Sequence, residues 1–192
     1  MSRESARPLL RVASLALAVG WLYGAIGFVR SQGSVQLELA RKAAPPASEH
    51  NLASYRWGPT LRASSYHRDP GSHHHPLFLV DGRTAPGLIE KWMSATGDRA
   101  PWVEIGWREP RALSHVVIQH VGAREQKPNL AHYSVRCLRA SGPPATLDVR
   151  HNFAAVATHS LPCTQAVGLR IDWQLSTSED QARVYEIEAW GR

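Results

Sequence analysis

Cysteine is scarce in this chain. Of 192 residues only Cys137 and Cys163 are cysteine, and no Cys-x-x-Cys pair occurs. That excludes the usual thiolate zinc motifs. No basic run is interleaved with aromatics, although the formal net charge is +6. The footprint of a nucleic-acid-binding surface is therefore missing. There is no Gly-x-Ser-x-Gly elbow, no internal repeat, and no low-complexity tract beyond His73-His74-His75. None of the ten histidines precedes His50. What remains is 43% hydrophobic with seven Trp, a composition that suits a packed core. Charge is uneven: residues 1–50 carry six basic and three acidic side chains, the other 142 carry sixteen and thirteen. The C-terminal part is only mildly basic.

One apolar run is long. Val12 to Val29 gives 18 uncharged residues between Arg11 and Arg30. That is at the lower edge of what spans a bilayer core of about 30 Å. Arg3, Arg7 and Arg11 precede it and favour a cytoplasmic N-terminus. The reading is a cytoplasmic 1–11, a transmembrane signal anchor over 12–30, a tether over 31–50 and an exported domain over 51–192. The domain would then be periplasmic or extracellular. A cleaved signal peptide competes, because Ala25-Ile26-Gly27 has small residues at a suitable separation. In an exported domain Cys137 and Cys163 can form one disulfide; the other reading is two buried thiols.

After His50 the pattern changes to short period-2 segments broken by Gly and Pro, the signature of an all-β sandwich or barrel. Val103, Ile105 and Trp107 share one face. So do Val116, Ile118 and His120, and Tyr133, Val135 and Cys137. In the last segment Val184, Glu186, Glu188 and Trp190 share one face, with Tyr185, Ile187 and Ala189 on the other. Only Leu88 to Ser94 reads as locally helical after the tether.

Several pieces then fall in a recognisable order. They are Asn51-Leu52-Ala53, Ala63-Ser64-Ser65, Val80-Asp81-Gly82 with Trp92, Trp102-Val103-Glu104-Ile105, Val116-Val117-Ile118, Arg170, and the closing Glu186-Ile187-Glu188. Over residues 51–192 the chain resembles discoidin-type domains, also called F5/8 type C or galactose-binding-like modules. The resemblance implies an antiparallel, jelly-roll-like β-sandwich of about eight strands. With the Val12–Val29 run as its anchor, the chain is then expected to be a non-catalytic, membrane-anchored module that recognises carbohydrate at the cell envelope through loops at one end. Trp57, Tyr66, His67, Arg68, His74 and Arg124 are the residues those loops offer. The rival expectation is an accessory subunit that docks on a membrane-protein complex, with a small-residue seam at Gly20, Gly24 and Gly27.

The family often holds a structural calcium near the Asp-Gly turn. By matching positions, Asp81 and Glu186 are its side-chain ligands here, completed by backbone carbonyls. The chain departs from the pattern at Arg83, where a cation can pair with Asp81 and take the metal's place. Enzymatic chemistry has thin support. Ser64, Ser65, Cys163, His159 and Asp172 supply residue types for a triad without its motif. Glu186 and Glu188 share a strand face, but Glu186 already has a structural assignment. Within the histidine run, only His73 and His75 can face one ion, and they lack a third ligand.

Overall fold

A computed structural model describes residues 49–68, 71, 73–83, 90–121, 130–175 and 180–192. The segments read as cytoplasmic tail and anchor lie outside these residues, as do Arg124 and all of the tether but Glu49 and His50; His50, read as the tether's last residue, instead opens the first strand. Among the described residues no helix is long and apolar enough to cross a membrane.

Eight strands are described: β1 (His50–Asn51), β2 (Thr60–Ala63), β3 (Trp92–Met93), β4 (Trp102–His120), β5 (His132–Arg139), β6 (Ala145–Val149), β7 (Val156–Gln174) and β8 (Arg183–Gly191). Every pairing among them is antiparallel. The expected all-β architecture is found. Two short 3-10 turns, Tyr55–Trp57 and Pro76–Leu79, flank β2 and precede β3.

The layering follows from β4 and β7, each 19 residues long. The first part of β4 pairs with β2 and with the second part of β7, from Trp102↔Asp172 to Gly106↔Gly168. β5 and β6 extend that layer. After register shifts between Gly106 and His115, the second part of β4 pairs with the first part of β7 and with β8. β1 and β3 pair with β8. The two long strands thus cross from one layer to the other at a shared bend. Pro110, which donates no backbone hydrogen bond, sits in that bend. This end of the sandwich is the bend end. The other end, where β2 stops at Ala63 and β4 starts at Trp102, is the loop end.

Alternation places the core. Val103, Ile105, Val116, Ile118, Tyr133, Val135, Leu169 and Ile171 are all buried between the layers. Trp92 and Trp173 meet there with ring centroids 5.3 Å apart. Cys137 on β5 and Cys163 on β7 form a disulfide within this core. It joins the first layer to the part of β7 that belongs to the second. Gly191 is required by close approach: a Cβ there would lie 2.0 Å from the Ala112 carbonyl oxygen.

Three sequence expectations are corrected. Trp92 and Met93, read as part of a local helix, form β3 beside β8. The segments Trp102–Trp107 and His115–Val121 belong largely to one bent strand, β4. In β8 the register advances from Gln119↔Glu186 to His120↔Val184, leaving Tyr185 as an extra residue. Such a bulge resets the alternation. Val184, Ile187 and Ala189 consequently all join the core, and Val184 does not share a face with Glu186.

Candidate functional site

The Ala63-Ser64-Ser65 segment builds the loop end. The hydroxyls of Ser64 and Ser65 both donate to the same oxygen of Asp98. Ser65 Oγ also accepts from Ala95 N at 3.0 Å, and Ser64 Oγ accepts from Trp102 N at 3.1 Å. The Ser65 carbonyl takes the Trp92 indole N–H at 3.0 Å. These bonds tie the exit of β2 to the 94–102 connection. They fix where the next residues, Tyr66 to Arg68, emerge.

Those residues form a compact polar and aromatic group. The Arg68 guanidinium lies 4.6 Å from the Tyr66 ring centroid, and the His75 ring meets Tyr66 edge-on at 5.1 Å. The His67 backbone N–H donates to Met93 O at 2.8 Å, and its ring lies 5.7 Å from that of His74. His67 Nδ1 is 3.2 Å from Gln181 Nε2. Gln181 is buried; its amide donates to Ser94 O at 2.9 Å and accepts from Arg183 at 2.9 Å. His74 Nδ1 is buried without a hydrogen-bond partner. Burial, then the neighbouring Lys91 charge, hold His74 below the usual imidazole range, so it is neutral at pH 7. An exposed guanidinium, a half-buried phenol, the neutral His74 and the neighbouring imidazole rings make a surface of mixed hydrogen-bonding groups beside one aromatic ring.

Of the sequence-predicted ligand residues, the structure brings Tyr66, His67, Arg68 and His74 together. Trp57 stands apart from them. It precedes Thr60, which pairs with Gly106 at the bend end, whereas Tyr66 follows Ala63, which pairs with Val103 at the loop end. The four residues of β2 separate them. Arg124 lies outside the described residues. The structure also reveals Gln181 and Phe153, which the sequence reading missed. Phe153 is 84% exposed in the β6–β7 connection. That connection leaves the loop end, because Val149 pairs with Tyr133 and Tyr133 with Trp173. An aromatic between Asn152 and Ala154, next to no strand pattern, was the available signal.

The remaining chemistry-bearing residues are dispersed. His75 Nδ1 accepts from Leu77 N at 3.2 Å and so caps a 3-10 turn, while His73 faces Phe78 at 6.4 Å. Among the described residues no three His, Cys, Asp or Glu side chains converge as a metal site would require. Asp172 takes Arg136 at 2.6 Å and Arg170 at 2.9 Å on the outer face of the first layer. Burial opposes its ionisation, but those hydrogen bonds hold its carboxyl below the usual range. Glu188 accepts the Trp190 indole N–H at 2.8 Å. With Cys163 in a disulfide and Ser64 and Ser65 bound to Asp98, no described triad forms from the candidates named above.

Asp81 and Glu186 do come together. Glu186 is 0% exposed; its Oε1 accepts from Gly82 N at 3.2 Å, and its Oε2 has no partner. Burial, then the Asp81 charge, push its carboxyl up to about 9. Burial likewise raises Asp81. Arg83 does not take a metal's place on Asp81. Its backbone N–H donates to Asp81 Oδ1 at 2.9 Å, while its guanidinium reaches Glu90 at 3.2 Å. An orphaned buried carboxyl oxygen beside a second acidic side chain fits a hard, oxygen-binding cation, which would displace the Glu186 proton.

A second buried cluster carries a pH prediction. His120 is 2% exposed and neither ring nitrogen has a hydrogen-bond partner. It packs against Tyr133 at 5.5 Å, whose hydroxyl is 2.7 Å from His159 Nε2. Burial, then the His159 charge, hold His120 down to about 4. Burial lowers His159 and raises the Tyr133 hydroxyl. The unfolded chain takes up the His120 proton near pH 6.5 and the folded chain resists until about 4. Stability from this group is complete above pH 6.5 and is lost as pH falls toward 4. The expected loss is roughly 3 kcal/mol. His120→Leu removes that dependence, so urea unfolding at pH 7 and 4 should show wild type losing about 3 kcal/mol more than the variant. Parallel losses in the two proteins contradict it.

No protein-family model and no curated protein sequence matches the chain. Solved structures do. The family 32 carbohydrate-binding module of Streptococcus pneumoniae EndoD is 21% identical at a TM-score of 0.58, over 74% of this chain and 100% of that one. A Streptococcus pneumoniae fucose-binding module is 16% identical at 0.59, over 77% and 99%. An F5/8 type C domain from Bacteroides fragilis is 14% identical at 0.56, over 71% and 93%. At these identities the likeness is one of fold. The described residues have the discoidin, or F5/8 type C, β-sandwich fold expected from the sequence.

Proposed function

We propose that this domain is a non-catalytic glycan-binding module whose site is the loop end built by Tyr66, His67, Arg68 and His74. The convergence of those four residues carries the reading. A half-buried ring flanked by an exposed guanidinium and imidazole rings suits a sugar, whose C–H face meets the ring while its hydroxyls meet donors and acceptors. Structures of the same fold that are named as carbohydrate-binding modules support it. Display outside the cytoplasm fits the Cys137–Cys163 disulfide, and the Val12–Val29 run would supply the anchor. Calcium at Asp81 and Glu186 would stiffen the adjoining turn by neutralising the paired carboxylates.

The test is a glycan array probed with the full chain, with Tyr66→Ala and Arg68→Ala beside it. Arg68 is exposed, so its variant keeps the fold. Both variants are expected to lose roughly tenfold in affinity, from about 1.4 kcal/mol of lost ring or hydrogen-bond contact. A blank array, or variants that bind as wild type does, overturns the reading.

A further inference from the structure

The bend end carries a second cleft, unlike the first in chemistry. It has a volume of about 170 Å³ and is lined by His50, Trp57, Trp107, Arg108, Arg111 and Arg192, among others. That is smaller than a drug-sized pocket and suits one compact unit of a larger ligand. Trp107 is a fixed wall, its indole N–H donated to Leu52 O at 2.9 Å. Trp57 is a presented one. Ser54 caps its 3-10 turn by accepting from Arg56 N at 3.4 Å, and Trp57 N donates to Ser54 O at 2.9 Å. Gly58, at φ +60, closes the turn with a bond to Tyr55 O; other residues rarely adopt that backbone. The outcome is a short rigid turn that leaves Tyr55 72% and Trp57 55% exposed. Burying them would stabilise the fold, so the fold does not explain their exposure.

The cleft also holds spare positive charge. The Arg108 and Arg192 side chains make no hydrogen bond or ion pair among the described residues. Arg111 faces Glu109 at 3.6 Å, but the Glu109 side chain is 76% exposed, and a pair so open to water holds its guanidinium weakly. A guanidinium is a planar fork suited to bidentate contact with a carboxylate. An exposed indole beside it suits the C–H face of a sugar ring.

We propose that this cleft is a second binding site, specific for an acidic sugar unit, a hexose ring bearing a carboxylate. The indole of Trp57 covers the ring, and Arg108 and Arg111 take the carboxylate. The site does not depend on the loop-end reading, because β2 separates Trp57 from Tyr66 and no residue is shared.

The test is calorimetric titration of the full chain with oligogalacturonate and with its methyl ester, which keeps the ring and removes the charge. Free acid is expected to bind at least tenfold more tightly than ester, and to weaken as salt rises from 50 to 500 mM. Trp57→Ala and Arg108→Ala should each weaken binding of the acid at least tenfold, while Arg150→Ala, which removes an exposed guanidinium outside both sites, leaves it within twofold. Trp57→Phe should restore most of it, which a folding defect would not. Equal affinity for acid and ester, no binding of either, or insensitivity to Trp57→Ala overturns the proposal. So does Trp57-dependent binding to vesicles containing phosphatidylglycerol without binding to oligogalacturonate, which would assign the cleft to a lipid surface.

Discussion

In the presence of chelator at pH 7, Glu186→Gln is expected to raise the unfolding free energy by about 2 to 3 kcal/mol. The sign follows from the raised carboxyl. Folded Glu186 titrates at about 9 against 4.5 ordinarily, so the native state keeps a proton that the unfolded chain has released. The group's contribution is complete below pH 4.5 and is lost as pH rises toward 9. Gln keeps an acceptor for the Gly82 N–H and carries no charge; its unpaired amide hydrogens offset part of the gain. Calcium should close that gap. Wild type gains by mass action, about 2.7 kcal/mol at a hundredfold excess over the dissociation constant, and the variant does not. Urea unfolding in chelator and in calcium checks both halves. Equal stability in chelator would contradict the raised Glu186 carboxyl, and equal gains with calcium would remove the cation from Asp81 and Glu186.

Breaking the cross-layer disulfide is the second large effect. Cys137 and Cys163 are 26 residues apart and buried. In the chain-entropy treatment, opening a loop of that length destabilises by about 3.5 kcal/mol. For a domain of this size that corresponds to a fall in Tm of about 10 °C. The double variant Cys137→Ala, Cys163→Ala avoids burying new hydroxyls and isolates the loss of the link. A melting scan showing a fall below about 2 °C would mean that packing between the layers holds the fold without it. Reduction of the wild-type protein should move Tm in the same direction.

Much of this architecture was legible because burial follows period-2 alternation. Val103 with Ile105, Val116 with Ile118, and Tyr133 with Val135 and Cys137 all point into the core as read. The failures are local. The bulge at Tyr185 depends on how β8 meets β4, and one strand's pattern does not record its partner's register. Trp92 looked helical because an apolar run of that length fits either period; pairing with Val184 decided it. Asp81 and Glu186 were paired by resemblance, and the fold brings them together across 105 residues of sequence. The ligand residues were legible as types and only partly as a group. Sequence order placed Trp57 near Tyr66, whereas β2 lies between them and sends each to a different end. Gln181 was not legible, because its role comes from β8 approaching Ser94 and His67.

The central claim is that the loop end is the glycan site. Its most direct test is amide chemical-shift mapping of the isotopically labelled protein against the strongest neutral glycan from the array. Shifts centred on Tyr66, His67, Arg68, His74 and Gln181, with residues around Trp57 and Arg108 unmoved, are the predicted result. Shifts centred elsewhere, with that group unmoved at saturating glycan, would contradict it.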